Sequence, residues 1–185
     1  MAPGAASATN PPASSFHSED VARILRERGW LAADNSPEAS PEMQAWLARA
    51  AELLGPHAAD HAAMENLLAL IFRYEAGEIL RDAANQAVLV REGAHEVIRE
   101  LANRVLAGGE IDSDRLKEIV DGMKTALAYR SRDMFHPIRL ALAGGAGGGE
   151  LDRVILLLDS AARLSFAAPV KGTRQRMLEF CAAMD

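Results

Sequence analysis

Along most of the chain, apolar residues return every three or four positions, the period of a helix with one buried face. The clearest case follows Asp112, a capping residue, with Leu116, Ile119, Val120, Met123 and Leu127 at i, i+3, i+4, i+7 and i+11. Ser18 offers an N-cap with Glu19 and Asp20 in the first turn, and Val21, Ile24 and Leu25 line one side before Gly29 stops that helix. Ser40-Pro41 places a cap and a first-turn proline in the favoured order, followed by Met43, Trp46, Leu47 and Leu54 until Gly55-Pro56. Residues 56–73 read as helix again, with Met64, Leu67, Leu68 and Ile71 on one side, and 74–86 as a shorter helix broken by Gly77. Residues 87–90 have the composition of a strand, but a lone strand has nothing to pair with, so helix is assigned. Further helices are expected over 94–107, from Glu150 to about 164, and from Thr173 to about 183, the last after a turn at 169–172. The pattern predicts an all-α fold, a multi-helical bundle of about eight short helices, with no internal repeat. Its organisation reads as a disordered tail over 1–15, an N-terminal helix and linker over 16–39, and the main helical domain over 40–185.

Charge changes this picture in one respect. The 185 residues carry a net charge of -6, which argues against a protein that grips nucleic acid by bulk charge. The charge is uneven: residues 115–185 hold 11 Lys/Arg against 8 Asp/Glu, whereas 1–114 hold 9 against 18. A polyanion should therefore meet the C-terminal third. The single cysteine, Cys181, excludes an internal disulfide, fits a reducing cytosol, and reads as a core residue rather than a nucleophile. The first fifteen residues lack the charged start and apolar run of a secretory leader. No apolar run approaches the ~20 residues of a membrane span, so a cytoplasmic protein is expected.

The candidate chemistry gathers in residues 135–151. An apolar helical stretch carries Arg139, and a loop with five glycines in the six positions 144–149 precedes the next helix. Phe135-His136-Pro137-Ile138-Arg139-Leu140-Ala141-Leu142, then Gly144, then Gly149-Glu150-Leu151, resembles the signature of the anticodon-binding domain of bacterial glutamyl-tRNA synthetases. That signature runs hydrophobic-x-Pro-(Ile/Leu)-Arg-x-Ala-Leu-Thr-Gly, followed by Gly-Pro-Glu-Leu. Here Ala143 stands in place of the threonine and Gly149 in place of the proline. Less specific matches at Leu70-Ile71-Phe72, Gly93-Ala94, residues 114–124 and Lys171-Gly172-Thr173-Arg174-Gln175-Arg176 extend the resemblance over 40–183.

The resemblance implies a fold similar to the class I aminoacyl-tRNA synthetase anticodon-binding domain, with tRNA, glutamate tRNA foremost, as partner. It also implies that Arg139 faces the anticodon loop and contacts a base. A planar five-donor fork suits the edge of an unstacked base, the usual target of sequence-specific RNA recognition. The plainer alternative is that Arg139 caps a helix or pairs with a carboxylate such as Asp133. By the same match Gly148 and Leu151 lie near those bases, through backbone and apolar contact. Lys124, Arg130, Arg132, Lys171, Arg174 and Arg176 are candidates for a phosphate-contacting rim, or for a solvated face. Tyr129 and Phe135 are the nearby aromatics, Phe135 reading as core.

The family's catalytic motifs, His-x-Gly-His-like and Lys-Met-Ser-Lys-Ser-like, do not occur in the sequence; Met123-Lys124-Thr125 lies inside an amphipathic helix. The glycine loop follows a helix and precedes no Gly-Lys-Ser/Thr, so it is no phosphate cradle. The expectation is a stand-alone, non-catalytic, tRNA-binding protein without cofactor, membrane or DNA partner, docking on tRNA or on a separately encoded synthetase catalytic domain. Two rivals stand beside it. One is a protein-binding adaptor that has lost RNA binding, which the acidic N-terminal part, Ala143 and the glycine-diluted loop favour. The other is the detached C-terminal half of a split glutamate–tRNA ligase. His57, His61 and Glu65, four apart in turn, could offer metal ligands on one helix face, with a metal-dependent hydrolase as the distant consequence, though a solvated face is the plainer reading. His136 reads as a helix-start residue, and Trp30 and Trp46 as pins for the N-terminal helices.

Overall fold

A computed structural model describes residues 16–33 and 40–185. The expected tail over 1–15, and residues 34–39 of the expected N-terminal helix and linker over 16–39, lie outside the described residues. Among those described are ten α-helices, one turn of 3-10 helix and no strand. The helices are α1 Ser18–Glu27, α2 Pro41–Leu54, α3 His61–Phe72, α4 Ala76–Arg81, α5 Ala83–Leu89, α6 Ala94–Ala107, α7 Ser113–Ala126, α8 Ser131–Ala143, α9 Glu150–Ala162 and α10 Thr173–Met184, with the 3-10 turn at Gly55–His57.

The all-helical expectation holds, with ten α-helices among the described residues against about eight expected, and two of the expected helices are each interrupted at an aspartate. The helix read over 56–73 breaks before Asp60, whose extended backbone and carboxylate cap α3 by accepting from the Ala63 N–H at 2.8 Å. The one read over 74–86 splits at Asp82, which accepts from the Ala84 and Asn85 N–H groups, while Gly77 sits inside α4. Aspartate competes for backbone donors, which is why it starts helices more readily than it continues them. Residues 87–89 are helical as assigned, and Val90 closes α5 in full solvent, 82% exposed. Ser40 and Asp112 cap α2 and α7 as expected, and α1 is capped one residue early, by His17. Helix α8 begins at Ser131, so His136 is a mid-helix residue rather than a helix start, and Pro137 follows it inside the helix.

Helix α9 is the centre of the core. Its Val154, Ile155, Leu157 and Leu158 are fully buried, and α2, α3, α8 and α10 pack around it. Helix α1 lies on α2 and touches α3, while α6 joins α7, α8 and α10. At the N-terminal end Trp30 stacks on Phe72 at 4.9 Å, and Phe72, Trp46 and Phe166 meet edge to face. The Trp46 indole N–H donates to the Leu157 carbonyl at 3.2 Å, tying that cluster to α9. Both tryptophans thus pin N-terminal elements to the core.

Two buried polar groups fasten the other end. Arg176, a candidate for the phosphate rim, is instead fully buried. It donates to the carbonyls of Ile71 at 2.7 Å, Leu142 at 2.9 Å and Lys171 at 2.9 Å, and lies over the Tyr74 ring. Leu142 and Ile71 belong to the last turns of α8 and α3, whose carbonyls have no helical partner and carry the negative end of the helix dipole. The guanidinium supplies what those ends lack. Burial pushes its pKa down to about 10, still well above neutrality. The Tyr74 hydroxyl donates to the Ala141 carbonyl at 2.5 Å, and burial raises its own pKa. Asp159 on α9 accepts from the Ile111 N–H at 2.6 Å, the Thr173 N–H at 2.7 Å and the Thr173 hydroxyl at 2.8 Å, joining α9 to the start of α10 and the approach to α7.

Candidate nucleic-acid interface

The C-terminal end of α8, fixed by Arg176 and Tyr74, sets where the glycine loop begins. The chain leaves the helix at Gly144 with φ +84, a left-handed conformation natural to glycine, and its N–H closes on the Leu140 carbonyl at 3.0 Å. Ala143 is buried behind it. Beyond, Gly147, Gly148 and Gly149 are exposed main chain. The Gly148 N–H donates to Glu150 Oε1 at 2.7 Å, and its carbonyl accepts from the Leu151 N–H at 3.1 Å. The Leu151 side chain is only 5% exposed and packs beneath the loop, so the loop turns its backbone outward and keeps its one large apolar side chain inside.

Arg139 is the strut of this arrangement. Its Nε and Nη2 donate to the two carboxylate oxygens of Asp152 at 2.8 and 2.9 Å, and Nη1 donates to the Gly147 carbonyl at 3.1 Å. The guanidinium also lies 5.0 Å from the centre of the half-buried Phe135 ring, and its side chain is 14% exposed. A bidentate carboxylate pair with a cation–π contact is a rigid assembly. The carboxylate partner is Asp152, thirteen residues on, not the neighbouring Asp133. Gly148 lies in the loop that Arg139 holds.

On the α9 side of this strut, a groove of about 460 Å³ runs between α7 and α9, with Gly149 and Asp152 on its rim. Leu116, Val120 and Leu156 give it an apolar floor, and His57, Lys117, Lys124 and Arg153 give it cationic or titratable edges. Lys124 pairs with Asp121 at 3.6 Å, and Lys117 and Arg153 have no ion pair among the described residues. On the α8 side, Arg132, His136 and Arg139 fall at i, i+4 and i+7 along one helix face. Arg91, from the turn between α5 and α6, brings Nη1 within 3.4 Å of His136 Nδ1. Burial, then Arg132, Arg91 and Arg139, lower the pKa of His136. Arg130 and Arg132 are exposed and make no ion pair among the described residues.

The remaining candidates are occupied elsewhere. Lys171 is held by the Tyr74 carbonyl, Glu75 and Glu179, and Arg174 donates to the Leu106 carbonyl. The Tyr129 hydroxyl donates to Glu96, and its ring lies so close over Gly93 that a Cβ there would come within 2.3 Å of it. His57 sits in the 3-10 turn rather than on the helix of His61 and Glu65, so the three do not share one helix face. His61 faces Glu27, Glu65 is paired with Arg28, and no group of three potential metal ligands exists among the described residues. Sequence reasoning missed Asp152 and Arg91. Neither has a spacing signal, because each reaches its partner only after two elements fold together.

An all-helical domain that fixes a glycine loop between a basic helix face and a cation-edged groove defines a recognition module. The chain matches the family model of the anticodon binding domain over residues 21–165, and it belongs to that family. The match begins inside α1 and ends beyond α9, so it takes in the groove, α8 and the loop. No curated protein and no solved structure gives a significant match. No helix among the described residues is long and apolar enough to cross a membrane.

Proposed function

We propose that the chain binds the anticodon arm of a tRNA, glutamate tRNA in the first place, through the glycine loop and the surfaces flanking it, and that it performs no aminoacylation itself. The observation that carries this reading is the Arg139–Asp152 strut, which holds the exposed backbone of residues 147–149 at the mouth of the α7–α9 groove. Outward peptide groups can hydrogen-bond the edges of splayed bases, and an apolar floor edged by lysine and arginine suits a base with its phosphate. Arg139 supports the site by fixing the loop; three of its five N–H donors are already engaged. Lys124, Arg130 and Arg132 supply phosphate contacts on the two sides of the strut, Gly148 offers main chain, and Leu151 shapes the loop from below.

The test is binding of labelled glutamate tRNA by wild type and Arg139→Ala across a salt series. Wild type is expected to bind in roughly the micromolar range with a shallow salt slope, since few phosphates are neutralised. An anticodon-altered tRNA should lose on the order of 1–3 kcal/mol, the worth of a base contact, and Arg139→Ala should lose a similar amount by releasing the backbone that makes that contact. Absence of binding by wild type at low salt would end the tRNA reading and leave the fold to a protein partner.

A further inference from the structure

We propose that Arg91, Arg132 and His136 form a phosphate-binding clamp between the α5–α6 turn and α8, separate from the glycine loop and the α7–α9 groove. The identity of the anion as an RNA phosphodiester rests on the tRNA reading above; the clamp itself rests on its own geometry.

Arg132 and His136 are one helical turn apart and so project from the same side of α8. Arg91 Nη1 approaches His136 Nδ1 at 3.4 Å from a different element. Arginine can only donate, so that nitrogen of the neutral imidazole is the acceptor and Nε2 carries the proton. Nε2–H has no partner among the described residues. Two guanidiniums thus act on one imidazole from two elements, and neither is paired with a carboxylate among the described residues.

On a chain of net charge -6, Arg23, Arg28, Arg104, Arg115, Arg139 and Arg163 each meet a carboxylate. Among the described residues Arg91 and Arg132 do not, and neither do nine other arginines; what sets these two apart is that they act together on His136 from two different elements. The groups acting on His136 are Arg132, Arg139 and Asp133 from α8 and Arg91 from the α5–α6 turn, while Glu92 and Glu96 act on Tyr129 instead. Asp133 is thus a single acid against three guanidiniums. Such a cluster is repulsive when empty and complementary to an anion, most of all to one with several acceptor oxygens that take guanidinium and imidazole donors together. Along α8, His136 lies about 5 Å and Arg132 about 10 Å of helix rise from Arg139, close enough to hold backbone flanking a base at the loop.

The experiment follows the His136 imidazole of the full chain by nuclear magnetic resonance through a pH titration, alone, with inorganic phosphate, and with a glutamate-tRNA anticodon stem-loop. Anisotropy binding curves over a salt series run in parallel for wild type, Arg91→Ala and Arg132→Ala. Both arginines are exposed, so both variants should fold as wild type does. A clamp predicts that the RNA raises the His136 titration midpoint by about one unit or more, because a bound anion favours the imidazolium. It predicts further that each substitution removes that shift and lowers the log–log salt slope by about 0.7, one single-stranded phosphate contact. A shift with RNA and none with inorganic phosphate assigns the clamp to the phosphodiester backbone. If the RNA binds but His136 and the salt slopes do not respond, the clamp is wrong and the tRNA reading stands. If the RNA does not bind, the phosphate arm decides: a His136 shift that the two substitutions abolish keeps the clamp as a site for free phosphate, and no shift overturns it.

Discussion

At the scale of single residues, the question is how Arg139 acts. Its fork is already closed on Asp152 and the Gly147 carbonyl, so its first effect is on the shape of the loop. Asp152 lets the two roles be separated, because charge and geometry predict opposite signs for its removal. As an acid on the rim of the groove it repels phosphate, so Asp152→Ala should strengthen RNA binding if Arg139 reads a base by itself. If Arg139 acts by holding the loop, Asp152→Ala should weaken binding about as much as Arg139→Ala, and the double variant should lose little more. Calorimetric titration of the three variants with the same RNA checks this, and tighter binding by Asp152→Ala would remove the positioning role. Residue identities alone could not have revealed the strut. The sequence marks Arg139 through its setting before a glycine loop, but its partner depends on how α8 and α9 fold back on each other. The same limit applies to Arg176, which reads as one more cation in a basic segment. Only tertiary packing puts the α8 and α3 carbonyls around it.

At the scale of elements, the boundaries that mattered were set by caps. Helical periodicity placed 94–107 and the start of α7 correctly, because each has a strong apolar stripe between clear stop and start signals. It joined α3 to the preceding turn and α4 to α5, because apolar periodicity continues through Asp60 and Asp82 while the backbone does not. Two substitutions should separate loop geometry from helix docking. Gly144→Ala forces a left-handed conformation on a residue with a Cβ, at about 1–2 kcal/mol, and brings that Cβ within 3.2 Å of the tip of Ile79. It should therefore lower stability modestly and weaken RNA binding, since the loop departs from α8 at that residue. Asp159→Ala leaves the Ile111 and Thr173 N–H groups without their acceptor, at roughly 2–4 kcal/mol in total. It should lower the urea midpoint more than Gly144→Ala does, yet leave RNA affinity unchanged wherever the protein is folded. Equal loss of affinity in both variants would mean that the loop geometry has no special role.

At the scale of the whole molecule, charge and core are arranged on different principles. The positive excess lies in 115–185, where α8, the loop and the groove are, whereas the acidic excess falls in the segments before it. That division was legible in the sequence; the long-range pairing of some arginines with carboxylates was not, since Arg28 meets Glu65 and Arg163 meets Glu110 across distant positions. The core ignores the division altogether. Buried residues from α1 through α10 form one cluster, and the family match itself starts inside α1. Trp30 and Trp46, the two tryptophans of the chain, both sit in the aromatic group that ties α1 and α2 to α3 and α9. If α1 belongs to the same cooperative unit as the RNA-facing half, tryptophan fluorescence and far-ultraviolet circular dichroism should report coincident urea transitions. Trp30→Ala should then move both transitions together, by roughly 3–5 kcal/mol of lost packing, because α1 cannot loosen without exposing the Phe72 face. Separation of the two signals, with fluorescence lost first and most helicity retained, would show instead that α1 and α2 dock on an independently stable domain. In that event RNA binding should survive the first transition, and measuring affinity between the two midpoints would show which half of the molecule the site needs.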